Sequence, residues 1–258
     1  MTGTRFTFNR RGVMGLFGGL ATSVACACGK ARAQPITGEE RSAKSTVLGM
    51  GADMLQSKGP IDTINMYLNG YHFYADDMGR QIEAHHYCSH VNEDFFQCVI
   101  DDDNKEGARL IGIEYIVAAR ILNTLPAEEK RLWHSHRHET TSGELVMPGI
   151  PRPVEHTAIA MLVKTYGKTW HTWQVDRDSR LPIGIPQLMM GFTTDGQLSQ
   201  NMIQDRDRRL GTETADTRRS REDLAKSSPP VAAGADGWTK GQSPQLVLTE
   251  TPLQNRRG

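Results

Sequence analysis

The chain has 258 residues, with 30 basic and 30 acidic side chains in balance, and is 7% aromatic. That balance leaves no electrostatic footprint for a nucleic-acid backbone, and no basic groove lined with stacking residues is visible, so nucleic-acid binding is excluded as a leading reading. The length suits one domain with a substantial core, or two small ones.

The chain opens with Arg5 and the pair Arg10 and Arg11, followed by an apolar run from Val13 to about Ala27 and then by Ala31, Arg32 and Ala33. This is the order of a secretory signal, a charged region before an apolar region and a small-residue cleavage site. The apolar run is shorter than the ~20 residues that span a bilayer. Asn9 to Met14 reads as a twin-arginine signal, which directs export after folding. Residues 1–33 are therefore expected to be a signal peptide. The mature chain is expected to be periplasmic, with no transmembrane segment. A lipid-anchored form at Cys26 or Cys28 is the weaker alternative, because Ser23 to Cys26 matches a lipoprotein cleavage site poorly.

A first helix is predicted from Lys44 to Lys58, closed by Gly59 and Pro60. Ile64 to Ala75, Gln81 to Val91, Phe95 to Asp101 and Arg109 to Val117 read as strands, with turns at Asn92–Asp94 and Asp101–Asn104. A helix begins near Pro126, with Glu128 and Glu129 in its first turn. Glu144 to Met147 reads as a short strand. Pro153 to Tyr166 reads as a helix with Gly167 at its C-terminal cap. Lys168 to Val175 and Gln187 to Thr193 are two further strands. Beyond about Gln200 the chain is polar and poor in apolar residues, so 201–258 is predicted to be a disordered tail. The expected fold is α+β: one domain over 44–200, mainly an antiparallel sheet with two to four helices.

The chemistry is concentrated between Gln81 and Cys98 and between Trp133 and Glu139. Alternate strand residues share a face, which groups Ile82, Ala84, His86, Cys88 and His90 on the core side. If Glu93 centres the hairpin turn, Cys88 lies opposite Cys98, His86 opposite Ile100, and His90 opposite Phe96. Three readings of this face compete. Cys88 and Cys98 can form a disulfide, as suits an oxidising compartment. Alternatively His86, Cys88 and His90 can join His134 and His136 around a transition metal such as zinc. In the third reading the same groups hydrogen-bond locally and fill the core. His134, His136 and His138 share a face if their segment is extended; if the preceding helix continues, His134 and His138 stack one turn apart and His136 points away. Glu114, inside an apolar run, needs a partner if buried and is the candidate site carboxylate. His171, between Trp170 and Trp173, reads as core packing. No nucleophile elbow, phosphate loop or zinc-protease helix is present.

Glu83–Asp94, Gln97–Ile100, Ala108–Ile116 and Leu132–His136 together resemble the oil body-associated protein family. Lys164–Lys168, Trp173–Asp176 and Leu181–Gln187 fit the same family, so the resemblance covers roughly 44–200. It implies that His85, His86, Cys88, His90, Cys98, Glu114, His134 and His136 lie in signature segments. Plant members associate with seed lipid droplets on the cytosolic side, where thiols stay reduced, and no enzymatic activity is implied. The chain departs from them in its export leader and polar tail, as an exported bacterial member would. It has no long apolar hairpin, so contact with a lipid or membrane surface would be peripheral. The expectation is a non-enzymatic lipid-associating or ligand-binding protein, with a metal-binding protein or metal-dependent enzyme as the alternative.

Overall fold

The computed structural model describes residues 36–254; the expected leader lies outside them. A meander of β1 (Met66–Tyr74), β2 (Asp77–Asn92), β3 (Phe95–Asp101) and β4 (Leu110–Ala118) starts the sheet. β4 then pairs with β6 (Thr165–His171), β6 with β7 (Gln187–Met190), and β7 with β1. Six antiparallel strands thus close into a barrel. The two-residue β5 (His134–Ser135) continues the line of β7 along β6, opposite Gly167 and Tyr166.

This corrects the α+β expectation. Period-2 patterning identifies strands, but closure depends on the ladder between β4 and β6, which pairs Ala118 with Thr165 and Gly112 with His171 across the intervening helical segment. That segment holds four short helices, α3 (Ala119–Leu122), α4 (Ala127–Lys130), α5 (Arg137–Ser142) and α6 (Arg152–Leu162). Upstream lie α1 (Ala43–Leu55) and α2 (Gly59–Asp62). Gly167 is no helix cap: α6 stops at Leu162 and Gly167 sits in the middle of β6. The strand expected at Glu144–Met147 is reduced to a single bridge between Asn69 and Val146.

The disordered tail is also corrected. Residues 200–227 form α7 (Gln200–Leu210), α8 (Thr214–Ser220) and α9 (Glu222–Ser227), followed by a 3₁₀ turn at Gly237–Lys240. Composition misled here because the anchors are arginines. Arg206 is fully buried, with its guanidinium bonded to the Gly143 and Glu144 carbonyls, Asn69 and Thr214. Arg221 is equally buried against the Thr140 and Leu145 carbonyls and Glu155. The segment covers an apolar outer face of β1. Tyr71 and Phe73 point outward there, and Trp238 meets Phe73 edge-on at 4.9 Å.

A barrel of this size has its interior filled by side chains. Here they form three layers. One end holds Leu68, Cys88, Phe96, Cys98, Ile116, Leu145 and Leu162. The other holds Tyr74, Ile82, Ala84, Ile100, Ile111, Trp173 and Met189. Between these apolar layers lies a polar one.

Candidate metal centre in the barrel interior

The middle layer is built by strand parity. On β2, Ile82 and Ala84 belong to one apolar layer and Cys88 to the other, so His86 falls between them. On β4, Glu114 lies between Ile116, of the same parity, and Ile111, which a bulge before Gly112 places in the other layer, and on β1, Leu68 and Tyr74 bracket His72. β5 contributes His134, and the residue that caps the N-terminus of α5 is His136. All five side chains are buried, Glu114 with 2% of its surface exposed.

Four imidazoles face the Glu114 carboxylate. The Nε2 atoms of His86 and His72 lie 2.9 and 4.0 Å from Oε2, and those of His136 and His134 lie 3.1 and 3.4 Å from Oε1. Despite these distances, neither ring nitrogen of His86 or of His134 makes a well-directed hydrogen bond. Buried polar atoms are nearly always paired, so two rings with both nitrogens unsatisfied mark an unusual place. His136 is oriented from behind, its Nδ1 lying 2.8 Å from Thr165 Oγ1. The Thr165 hydroxyl donates its one proton to the Leu162 carbonyl at 2.7 Å, so Nδ1–H of His136 must be the donor to it. In a neutral ring that leaves the Nε2 lone pair aimed at Glu114. His171 backs His72, with Nε2 3.4 Å from His72 Nδ1.

Burial favours the neutral form of His72, His136 and His171 beside one anion. Burial lowers the His72 and His136 pKa values and takes His171 down to about 3, outweighing the attraction of Glu114. Burial opposes ionisation of Glu114, but the surrounding imidazoles reverse the balance and hold it well below the usual carboxylate range. Glu139, beside His136, is pushed well above that range, first by burial and then by the charges of Glu114, Glu144 and Asp236.

The strands make room for this layer with glycine. A Cβ on Gly167 would lie 1.9 Å from Glu114 Oε1 and 2.7 Å from His136 Nε2, and one on Gly191 would lie 2.9 Å from His134 Cδ2. The donors suit an ion. Single donor atoms of His72, Glu114 and His134 lie within 4.8 Å of one another. Donors around a tetrahedral zinc stand about 3.4 Å apart, so the set would contract on binding an ion.

Of the five sequence-predicted ligands, His86, His134 and His136 come together, and they do so on the predicted carboxylate. Cys88 does not join them: it is disulfide-bonded to Cys98, in the register Cys88↔Cys98 and His86↔Ile100. His90 lies at the exposed end of β2, stacked on Phe96. Parity holds for it, but the barrel interior has already ended. His138 turns away to Glu144, 3.3 Å distant. His85 is buried outside the barrel, against the Tyr67 hydroxyl. Sequence reasoning missed His72, a lone histidine in an aromatic strand whose signal was its parity with Leu68. It also missed Asp236, whose carboxylate accepts hydrogen bonds from Ser135 N and Oγ at 2.8 and 2.6 Å and so fixes the residue between His134 and His136.

The family description "Protein of unknown function (DUF1264)" matches residues 58–225. The chain belongs to this DUF1264 family. The matched range takes in all seven strands and all five donors. Oil body-associated protein 1B of Arabidopsis thaliana is 44% identical over 219 residues, 85% of this chain and 90% of its own length. Oil body-associated proteins 1A and 2A of Zea mays are both 40% identical, over 86% and 79% of this chain and 94% and 81% of their own lengths. No solved structure matches this DUF1264 chain.

Proposed function

We propose that the protein binds a divalent first-row transition metal inside its barrel, with Glu114 and the imidazoles of His72, His86, His134 and His136 as ligands. The observation that carries this is the convergence of four buried imidazoles on one buried carboxylate while two of the rings make no well-directed hydrogen bond. Neutral imidazole is the form that binds metal, and an ion on Glu114 would satisfy the lone pair that His136 directs at an anion. With Cys88 in a disulfide the donor set is nitrogen and oxygen, which suits zinc or iron(II) better than reduced copper. Elemental analysis of protein purified without an affinity tag tests the reading. One equivalent of metal is expected in the wild type and none in Glu114→Ala. A wild type that stays metal-free after reconstitution contradicts it.

Peripheral lipid association is a second reading, and the names of the plant relatives favour it. Among the described residues no helix is long and apolar enough to cross a membrane. α1, in contrast, exposes Val47, Leu48, Met50, Met54 and Leu55. Co-flotation of the protein with lipid droplets or vesicles supports this reading, and failure with every composition removes it. We further propose export through the twin-arginine leader to an oxidising compartment. The Cys88–Cys98 disulfide supports that location, and folding before transport allows a metal to be loaded beforehand.

A further inference from the structure

The turn that carries Asp236 packs on the end of α4. A Cβ on Gly234 would lie 3.0 Å from Lys130 Cβ, and one on Gly237 would lie 3.5 Å from Arg131 Cγ, so glycine brings the two segments together. Between them opens a surface pocket of about 360 Å³, lined by Ala127, Arg131, Gly234, Gly237, Lys240 and Gln242. No acidic side chain lines it. Asp236, the acidic residue of the turn, is spent on Ser135. Two neighbouring cations are engaged elsewhere, Lys130 by the Asn123 carbonyl and Lys168 by Glu129. Arg131 and Lys240, in contrast, have no acidic partner and donate no side-chain hydrogen bond among the described residues. The backbone N–H groups of Gly234, Gly237 and Gln242 are likewise unbonded among the described residues.

We infer that this pocket binds a phosphate monoester. A guanidinium presents paired donors that match phosphate oxygens, and an ammonium adds a point charge beside them. Two cations balance the charge of about −1.5 to −2 that a monoester carries at neutral pH, whereas a carboxylate brings only one. Free N–H groups in a glycine-rich turn are further donors of the kind that cradle anions. The space is several times the ~30 Å³ share of a water, so it admits the phosphate together with atoms of the group esterified to it. The chain leaving the pocket exposes Leu246, Val247 and Leu248, so the monoester can be a lipid headgroup as well as a soluble ester. Neither the metal reading nor the lipid reading is needed for the site itself.

Isothermal titration calorimetry of the protein with glycerol 3-phosphate tests the site. Sedimentation with phosphatidylcholine vesicles, with and without phosphatidate, distinguishes the source of the monoester. Saturable binding of one glycerol 3-phosphate per chain is expected, with acetate weaker by about tenfold or more. The double variant Arg131→Ala, Lys240→Ala should lose about tenfold or more in affinity for glycerol 3-phosphate. Lys164→Ala, which removes an exposed cation outside the pocket, should leave that affinity unchanged. Should the double variant misfold by circular dichroism, Lys240→Gln alone, on an exposed turn, should still weaken binding severalfold. Phosphatidate-dependent sedimentation that requires Arg131 and Lys240 supports the site and assigns it a lipid. Soluble binding without sedimentation supports the site and assigns it a free ester, leaving the lipid reading to its own test. The inference is overturned if neither probe binds, if acetate binds as tightly, or if the pocket variants bind like the wild type. An equal loss in Lys164→Ala overturns it too, since bulk charge would then account for the binding.

Discussion

At the scale of single residues, Gly167 and three histidines make the sharpest claims. Gly167 faces the site so closely that any side chain collides with the carboxylate and with His136. Gly167→Ala should cost about 1–3 kcal/mol of stability through overpacking and abolish metal retention. Thermal melts and metal content check this; wild-type values for both would show that Gly167 does not shape the site. His72, His136 and His171 have folded-state pKa values below their ordinary 6.5. As pH falls below 6.5 the unfolded chain takes up protons that the folded chain refuses, for His171 until about 3, so stability is lost across that window. Glu139 acts in the opposite sense. Its raised pKa makes protonation favour the fold as pH falls towards 4.5, as do those of Asp236 and Asp101 at lower pH, while the three histidines act from 6.5 downwards. The metal-free protein, kept so with a chelator, should therefore unfold at lower urea at pH 5 than at pH 7. An equal or higher midpoint at pH 5 would mean the rings are not buried in neutral form.

At the scale of elements, the hairpin of β2 and β3 was the most legible part of the chain. A short polar turn between two alternating runs, Glu93–Asp94 with a bulge after His90, sets its register, and the Cys88↔Cys98 pairing follows from that register alone. Parity along β2 likewise separates His86 from His85. Parity cannot say where a strand leaves the barrel, and so His90 was grouped with ligands it never meets. The C-terminal segment was the least legible. Its docking rests on Arg206 and Arg221, whose buried guanidinium groups satisfy backbone carbonyls, and hydropathy counts such residues as solvated. Yet this segment positions the site through Asp236 and Ser135. Asp236→Ala should weaken metal binding about 10–100-fold, the usual effect of losing a partner that orients ligands, while the barrel stays folded. Unchanged affinity, measured by competition with a calibrated chelator, would reduce Asp236 to a purely structural role.

At the scale of the whole molecule, two apolar layers seal a polar one inside a closed barrel, and this architecture gives the histidines their meaning. The sequence showed two histidine-rich segments and a carboxylate in an apolar strand, three parts of one site that it could not bring together. What joined them was barrel closure through β4 and β6, a contact between residues some fifty positions apart that no local periodicity records. The Cys88–Cys98 disulfide lies outside that layer, in the apolar one beside it. X-ray absorption at the metal edge of protein purified without a tag probes that arrangement most directly. The predicted spectrum has nitrogen and oxygen neighbours at ~2.0–2.2 Å with imidazole outer-shell scattering and no sulfur, and the signal is lost in Glu114→Ala. A sulfur shell at ~2.3 Å, or metal retained unchanged in Glu114→Ala, would contradict the account.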